Sequence, residues 1–540
     1  MKIKCIAFAL FFLLTIVAEA RKIPHLQKKG TATQLIVEDN PFLILGGELG
    51  NSTASSLEDM KRVSEKLQKM QLNTMLVPAY WELIEAEEGK YDYTLVDGAI
   101  ELARKHNLKI VFLWFGVWKN SMSCYAPMWV KENYLKYPRA VTKSGKSLEI
   151  LSAFNQNNLE IDKRAFKHFM NHLAEVDKSQ QTIIMVQVEN EIGMIEDARD
   201  YSKEANKLFT SDVPKQLTDY LVKNKQSLRP QLLERWEKNG FKTKGIWTEL
   251  FGEGLETDEL FMAWNYGLFI QEVAQTGKNA YNLPMYLNAA LNSRERKPGA
   301  YPSAGPLAHL LDIWRASAPA IDFLAPDIYD PGFTDWCKQY QVNGNPLFIP
   351  EIRLEDGNAA RVFYAFGEHD AMGFSPFFIE SPANPEEYPL TKSYKVLRQI
   401  LPLLAEKQGE NKTNGFWFDS EVKERTVERN GYTFTFKHDY TLGWNPLAKD
   451  GSKWPETGAL IIELSKNEYL VAGTGIVVTF GNTKKDGTET GIGFIDEVEF
   501  KDGKMIPLRR MNGDQNHQGR HLRIPTGEWN IQYVKLYDYK

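Results

Sequence analysis

Eight short apolar runs, each followed by a stretch of helical spacing, constrain this chain more than any other feature. They fall at residues 42–45, 73–80, 109–115, 183–189, 285–291, 321–328, 347–351 and 374–379. Runs of this length, rich in apolar and β-branched residues, read as strands buried on both faces, and intervening helices are what parallel pairing requires. The pattern predicts an α/β fold, a closed (β/α)8 TIM barrel. An open, doubly wound sheet is the alternative. No Gly-rich phosphate loop follows the first run, which counts against it. Helical spacing is clearest at 57–70, 93–106 and 165–176, and a long helical region near 195–282 reads as an insertion in the barrel.

A chain of 540 residues exceeds one ordinary domain. From about residue 411 the texture changes to short β-type runs such as Tyr432-Thr433-Phe434-Thr435-Phe436, punctuated by Gly481-Asn482, Asp502-Gly503 and Asn512-Gly513 turns. The expected organisation is a catalytic barrel over 21–405 and a C-terminal β-sandwich domain over 411–540. Such an appendage is a buttress more often than a sugar-binding module. At the other end, Lys2 and Lys4 precede an apolar stretch at 6–17 and the small-x-small site Ala18-Glu19-Ala20. Residues 1–20 therefore read as a signal peptide, with a mature chain from Arg21 that is secreted or periplasmic. The apolar stretch is too short for a stable membrane span.

Composition excludes several classes. A net charge of −5 and a pI near 6.1 argue against a nucleic-acid partner. Cys5 precedes the apolar stretch, and Cys124 and Cys337 alone make no disulfide framework, so two free buried thiols are expected. The nine His show no metal-ligand spacing. His168 and His172 are four apart, but no His-Glu-x-x-His pattern surrounds them, and neither a metal nor a cofactor is expected. Asn51-Ser52-Thr53 and Asn411-Lys412-Thr413 are glycosylation sequons, which matter only in a eukaryotic secretory host.

The chemistry lies at the strand ends. The fourth run, Ile183-Ile184-Met185-Val186-Gln187-Val188-Glu189-Asn190-Glu191, delivers carboxylates after five apolar residues. The seventh, Leu347-Phe348-Ile349-Pro350-Glu351, does so again. In a TIM barrel both ends open into one crater. Glycoside hydrolysis needs one carboxyl as proton donor and another as nucleophile or base. Tyr329, ending the sixth run, is placed to donate to Glu351 and hold its rotamer. Glu48, ending the first, is either a sugar-hydroxyl acceptor or a loop charge. Tyr80, Trp81, Trp114 and Trp118, ending runs two and three, are candidates for a flat sugar platform, of which one or two are expected to serve and the others to be core. Glu189 points away from Glu191 in a regular strand, but a bulge at Asn190-Glu191 turns it toward the crater. Glu82 and Glu380 are weaker candidates.

Gln187-Val188-Glu189-Asn190-Glu191-Ile192-Gly193 resembles the strand-four signature of glycoside hydrolase family 35, the β-galactosidases, and the resemblance covers about 34–380. It implies Glu191 as acid/base, Glu351 as nucleophile and Asn190 as the residue that hydrogen-bonds the sugar 2-OH. It also implies a secreted, retaining exo-β-galactosidase acting on terminal β-galactose of oligo- or polysaccharides, such as xyloglucan side chains. The family's Cys-Ala-Glu-Trp-like motif after strand three is absent; Leu113-Trp114-Phe115-Gly116-Val117-Trp118-Lys119-Asn120 stands there. The chain is thus similar to a shorter bacterial branch, in which one small β-domain follows the barrel. A barrel glycosidase of other specificity (β-glucosidase, β-mannanase or arabinosidase) and a catalytically dead sugar-binding protein are the alternatives.

Overall fold

The computed structural model describes residues 23–177, 180–292 and 296–540. The signal-peptide reading of residues 1–20, and Cys5 with it, lies outside the described residues.

Eight parallel strands close into a barrel: β1 Ile44–Glu48, β2 Thr74–Tyr80, β3 Lys109–Lys119, β4 Ile183–Asn190, β5 Met285–Ala290, β6 Phe323–Ile328, β7 Ile349–Ile352 and β8 Gly373–Pro376. Each pairs with the next and β8 pairs with β1. Their side chains are buried on both faces, the reason the sequence reads as continuous apolar runs rather than alternating ones. Eight helices follow in turn: α1 Leu57–Lys69, α2 Thr94–Lys105, α3 Gln156–Asp177, α4 Leu255–Ala280, α5 Leu311–Ser317, α6 Phe333–Tyr340, α7 Asn358–His369 and α8 Pro389–Lys407. The start of α1 shows how locally these are encoded. Ser56 accepts the Asp59 N–H as N-cap, Glu58 and Asp59 sit in the first turn, and Lys66 and Lys69 in the last. Removing such a cap costs about 1 kcal/mol. The seam is fixed from α8, whose buried Tyr394 hydroxyl reaches the carbonyls of Gly46 at 2.9 Å and Phe374 at 2.7 Å.

The barrel differs from expectation at two places. The run at 42–45 splits: Asn40–Phe42 joins His25–Lys29 and Ala32–Val37 in an antiparallel sheet, and β1 starts at Ile44. Glu38 and Asp39 both take positive φ, which makes the tight turn that this hairpin needs. The helical insertion is four short helices between 203 and 251; α4, expected to belong to it, is the barrel's own fourth helix.

The C-terminal part is a β-sandwich of a six-stranded and a four-stranded antiparallel sheet, which share a core that includes Phe416, Phe434, Phe436, Ile461 and Val478. It is joined to the barrel backbone-to-backbone. A Cβ on Gly367 of α7 would meet the Asn414 carbonyl at 2.7 Å, and one on Gly458 the Ala360 carbonyl at 2.5 Å. Arg361 of α7 pairs with Glu456, and Trp529 donates to Ser393 of α8 at 2.9 Å. Cys124 and Cys337 are unpaired; Cys337 is buried, but Cys124 is exposed, against expectation, on the surface loop after β3. Among the described residues no helix is long and apolar enough to cross a membrane.

Candidate active site

Glu191 and Glu351 reach the same end of the barrel, each 5% exposed. Their strands deliver them differently. Glu351 lies within β7, in register with Asp327 on β6, where the pairing of β7 with β8 shifts between Ile349 and Ile352. Glu191 follows a kink: Glu189 has φ 58° and Glu191 φ 46°, both in the left-handed region, which costs a non-glycine residue roughly 1–2 kcal/mol. The kink turns two consecutive side chains into the crater. Asn190 Oδ1 accepts from Lys119 Nζ at 3.0 Å, and the Glu191 carboxylate accepts from Asn120 Nδ2. The backbone is held as well, since Glu191 N–H donates to Asn288 Oδ1 at 3.0 Å and Glu191 C=O accepts the Ser121 N–H at 3.1 Å.

Four carboxyls meet here. Glu48, at the end of β1, is 1% exposed and faces Glu351; Asp327 is likewise 1% exposed. Tyr329 donates its hydroxyl to Glu351 Oε1, as its position at the end of β6 suggests, and Arg353 lies over its ring at 5.4 Å. Among the described residues Lys119 is the cation acting on Glu48, Glu191 and Asp327, and it lies 4.9 Å from the Phe115 ring centroid. Burial, and then the charge of Glu351, push the Glu191 carboxyl up to about 7, while Lys119 and a hydrogen bond with Asp327 pull the other way. Burial, followed by the charge of Glu351, also holds Glu48 and Asp327 well above the usual carboxylate range. Apart from bonds shared between the carboxyls themselves, four buried polar atoms in this cluster have no hydrogen-bond partner: Glu48 Oε1, Asn190 Nδ2, Asp327 Oδ1 and Glu351 Oε2. Orphaned polar atoms are costly and rare, and three acceptors with one amide donor around a single space form a receptacle for hydroxyl groups.

The remaining candidates disperse. Trp114 points outward, stacked on Phe169 of α3 at 5.2 Å, and is fully buried, so it is no sugar platform. Trp118 is also fully buried, packed on Tyr266 and Phe269 of α4, with its indole N–H on the Leu151 carbonyl at 3.2 Å. A strand buried on both faces lets large aromatics point either way, so residue type alone did not decide them. Trp81 is buried and donates to Glu85 at 2.8 Å. Tyr80 does lean toward the crater side against Phe115, but it is buried under Tyr125 with its hydroxyl on the Asn51 carbonyl at 2.7 Å. Glu82 pairs with Lys131 at 3.7 Å.

Glu189 does not enter the crater. Between the pairs Trp114–Val188 and Lys119–Asn190, β3 has four residues where β4 has one. Glu189 plugs that bulge, accepting the Trp118 N–H at 2.5 Å, with Asp162 of α3 beside it. A Cβ on Gly116 would meet its Oε1 at 2.5 Å, so the glycine makes room for the carboxyl.

Sequence reasoning missed Lys119, Asn120, Asn288, Asp327 and Phe378. The first four lie in the last three residues of barrel strands or follow one directly, which was the available signal. Phe378 follows β8 with φ 54° and is 48% exposed, its ring lying against Gly50, where a Cβ would meet it at 2.5 Å. Glu380 anchors the same segment, accepting Gly50 N–H at 3.0 Å and the Thr53 hydroxyl at 2.5 Å. Phe378 is thus an exposed aromatic beside the end of β8, where the tryptophans of β3 are buried.

Residues 53–243 match the sequence profile of glycoside hydrolase family 42, described as Beta-galactosidase, and residues 390–523 match a domain of unknown function, DUF5597. The likeness is therefore to family 42 rather than to family 35, as the strand-four motif had suggested. The first match takes in β2 to β4 and Glu191; Glu351 lies beyond it. Among solved structures the chain is similar to the β-galactosidase from the psychrophilic Marinomonas ef1 (12% identity, TM-score 0.45, covering 68% of this chain and 60% of that one). It is also similar to the β-galactosidase from Bacillus circulans sp. alkalophilus (14%, 0.46, 68% and 57%) and the endo-1,4-β-mannanase from Rhizomucor miehei (12%, 0.43, 71% and 99%). The chain spans 57–60% of the length of these two β-galactosidases. No curated protein matches it. Over residues 53–243 the barrel is thus similar in sequence to the β-galactosidases of glycoside hydrolase family 42.

Proposed function

We propose that this chain is a retaining exo-β-galactosidase that uses Glu191 as acid/base and Glu351 as nucleophile. The observation that carries the reading is the pair itself. Two carboxyls from β4 and β7 share one crater, and the charge of Glu351 helps keep Glu191 protonated. Glu191 gives its proton to the leaving oxygen as Glu351 attacks the anomeric carbon; one C–O bond breaks and a glycosyl ester forms. Esterification removes the negative charge that had raised Glu191, so Glu191 then takes a proton from water and the ester is hydrolysed with retention. Tyr329 orients Glu351, and Asn120 orients Glu191. Asn190, with a free Nδ2 hydrogen, binds the sugar 2-OH, and Glu48 accepts a second hydroxyl. Galactose as the terminal sugar is supported by the family match over 53–243. We further propose that residues 1–20 direct export, so that a mature chain begins near Arg21.

Hydrolysis of a panel of aryl β-glycosides by wild type and by Glu351→Gln tests the reading. β-Galactosides should be cleaved fastest, and the variant should cleave none. Preference for glucosides, mannosides or arabinosides would move the specificity elsewhere; binding without turnover would make the chain a lectin-like relic.

A further inference from the structure

Two buried side chains tie the Glu191 and Glu351 strands together. Asn288 on β5 accepts the Glu191 N–H at Oδ1 (3.0 Å) and donates from Nδ2 to Asp327 Oδ2 on β6 at 2.5 Å. Asp327 stands beside Glu351 in the register of β6 on β7. A continuous path thus runs from the strained backbone of Glu191, through two side chains on two strands, to the neighbour of Glu351. Both links are buried, Asn288 at 2% and Asp327 at 1% exposed. No amide, hydroxyl or ammonium donor meets Asp327 Oδ1, and the Asp327 carboxyl shares a hydrogen bond with that of Glu191.

The crowding of carboxyls around Asp327 bears on its state. Among the described residues the groups facing it are Glu351 on β7, Glu191 on β4, Glu48 on β1, Lys119 on β3, Tyr286 on β5, Tyr340 on α6 and Tyr329 at the end of its own strand. Among the described residues these four nearly buried carboxyls share Lys119 as the cation acting on them, and so many crowded together cannot all be ionised. Glu351 must be the ionised one if it is the nucleophile, and Lys119 is already engaged with Asn190. The burial that raises Asp327 is in keeping with this crowding.

Resting on the assignment of Glu191 as proton donor, we propose that Asn288 and Asp327 are positioning residues for Glu191, and that Asp327 works as a neutral carboxylic acid. Its Oδ2 accepts the Asn288 amide, and its Oδ1–H is a donor aimed at the crater carboxyls. The pair holds the kink that brings Glu191 into the crater and adds no second fixed negative charge beside it.

The test compares Asp327→Ala, Asn288→Ala and Asp327→Asn in the full chain, on a dinitrophenyl β-galactoside, which leaves without protonation, and on methyl β-galactoside, which does not. Asp327→Ala and Asn288→Ala should lower kcat on the methyl glycoside at least about 30-fold and on the dinitrophenyl glycoside less than about fivefold, because only proton donation is misaligned. Asp327→Asn, a neutral isostere with the same acceptor and a donor at the other position, should recover at least about tenfold of the Asp327→Ala loss. Its basic limb in the pH profile of kcat/KM should coincide with that of wild type. Equal losses on both substrates would reduce the pair to ordinary packing. A failure of Asp327→Asn to recover activity overturns the neutral-acid role. So does a basic limb moved down by a unit or more, since removing a real negative charge lowers the pKa of Glu191. If Glu191→Gln itself shows no dependence on leaving group, the acid/base assignment fails, and this inference falls with it.

Discussion

Two acidic clusters flank the end of β4, two residues apart in sequence, and they have opposite uses. Glu191 shares the crater with Glu48, Asp327 and Glu351; Glu189 shares the gap behind the strand with Asp162. Both glutamates are buried, both have positive φ, and both carboxyls are raised, Glu189 by burial first and then by Asp162. A perturbed carboxyl and a strained backbone therefore do not mark a reacting group by themselves. What separates the clusters is access, since each leaves carboxyl oxygens without a donor. Glu189 is bonded to a backbone N–H, has no exposed surface and fills a bulge that a glycine keeps open for it. The crater is slightly open, with Glu191 and Glu351 each 5% exposed, so its carboxyls can be reached from outside.

The sharpest way to break this contrast is Glu351→Ala. Loss of the nucleophile should lower kcat on every substrate by on the order of 10⁴-fold or more. Azide should then yield the α-glycosyl azide, by attack from the opposite face. Near-normal turnover would remove Glu351 from the mechanism.

Glu191→Gln comes next. With a poor leaving group kcat should fall about 10²–10⁴-fold, with a dinitrophenyl leaving group far less, and azide should give the β-azide. The pH profile sharpens the point. Glu191 is raised to about 7 and must be protonated to act, so wild-type kcat/KM should decline as pH rises through that value. In the variant that decline should disappear. Its persistence would assign the basic limb to another group.

Phe378→Ala should act on binding. An aromatic rim surface contributes about one factor of ten, so KM for galactosides should rise by roughly that amount with kcat little changed. An unchanged KM would leave the crater without its flat surface.

The smallest catalytic effect belongs to the other cluster. Glu189→Gln should leave kcat/KM within about twofold. Its signature is in stability. Asp162 is raised to about 7 by burial, and Glu189 well above its usual range, so the folded state holds protons that the unfolded chain has already released. Their contribution is fully present below the unfolded carboxyl range and is lost as pH rises toward the folded values. Thermal melts of wild type should therefore show a component falling between about pH 4 and 7 that is smaller in Glu189→Gln. A large activity loss in this variant would erase the distinction between the two clusters.

The sandwich offers a milder contrast with the barrel rim. Its glycines at 415 and 458 and the Arg361–Glu456 pair are spent on contact with α7. That is the economy of a buttress.

What the sequence by itself determined follows from local chemistry. Apolar runs of strand length with intervening helices specify eight parallel strands, and a carboxylate ending such a run must lie at the C-terminal rim; Glu191, Glu351, Tyr329 and Glu48 were legible for that reason. Tertiary structure decided the rest. Whether Trp114 and Trp118 faced the crater depended on which side of β3 met α3 and α4, and a strand buried on both sides hides that choice. Glu189 turned outward because β3 bulges by three residues against β4, a mismatch written in neither strand alone. Asn288, Asp327 and Lys119 acquired their meaning only when closure of the barrel set β3, β5 and β6 around one space, where a polar group is satisfied or left waiting by neighbours remote in sequence.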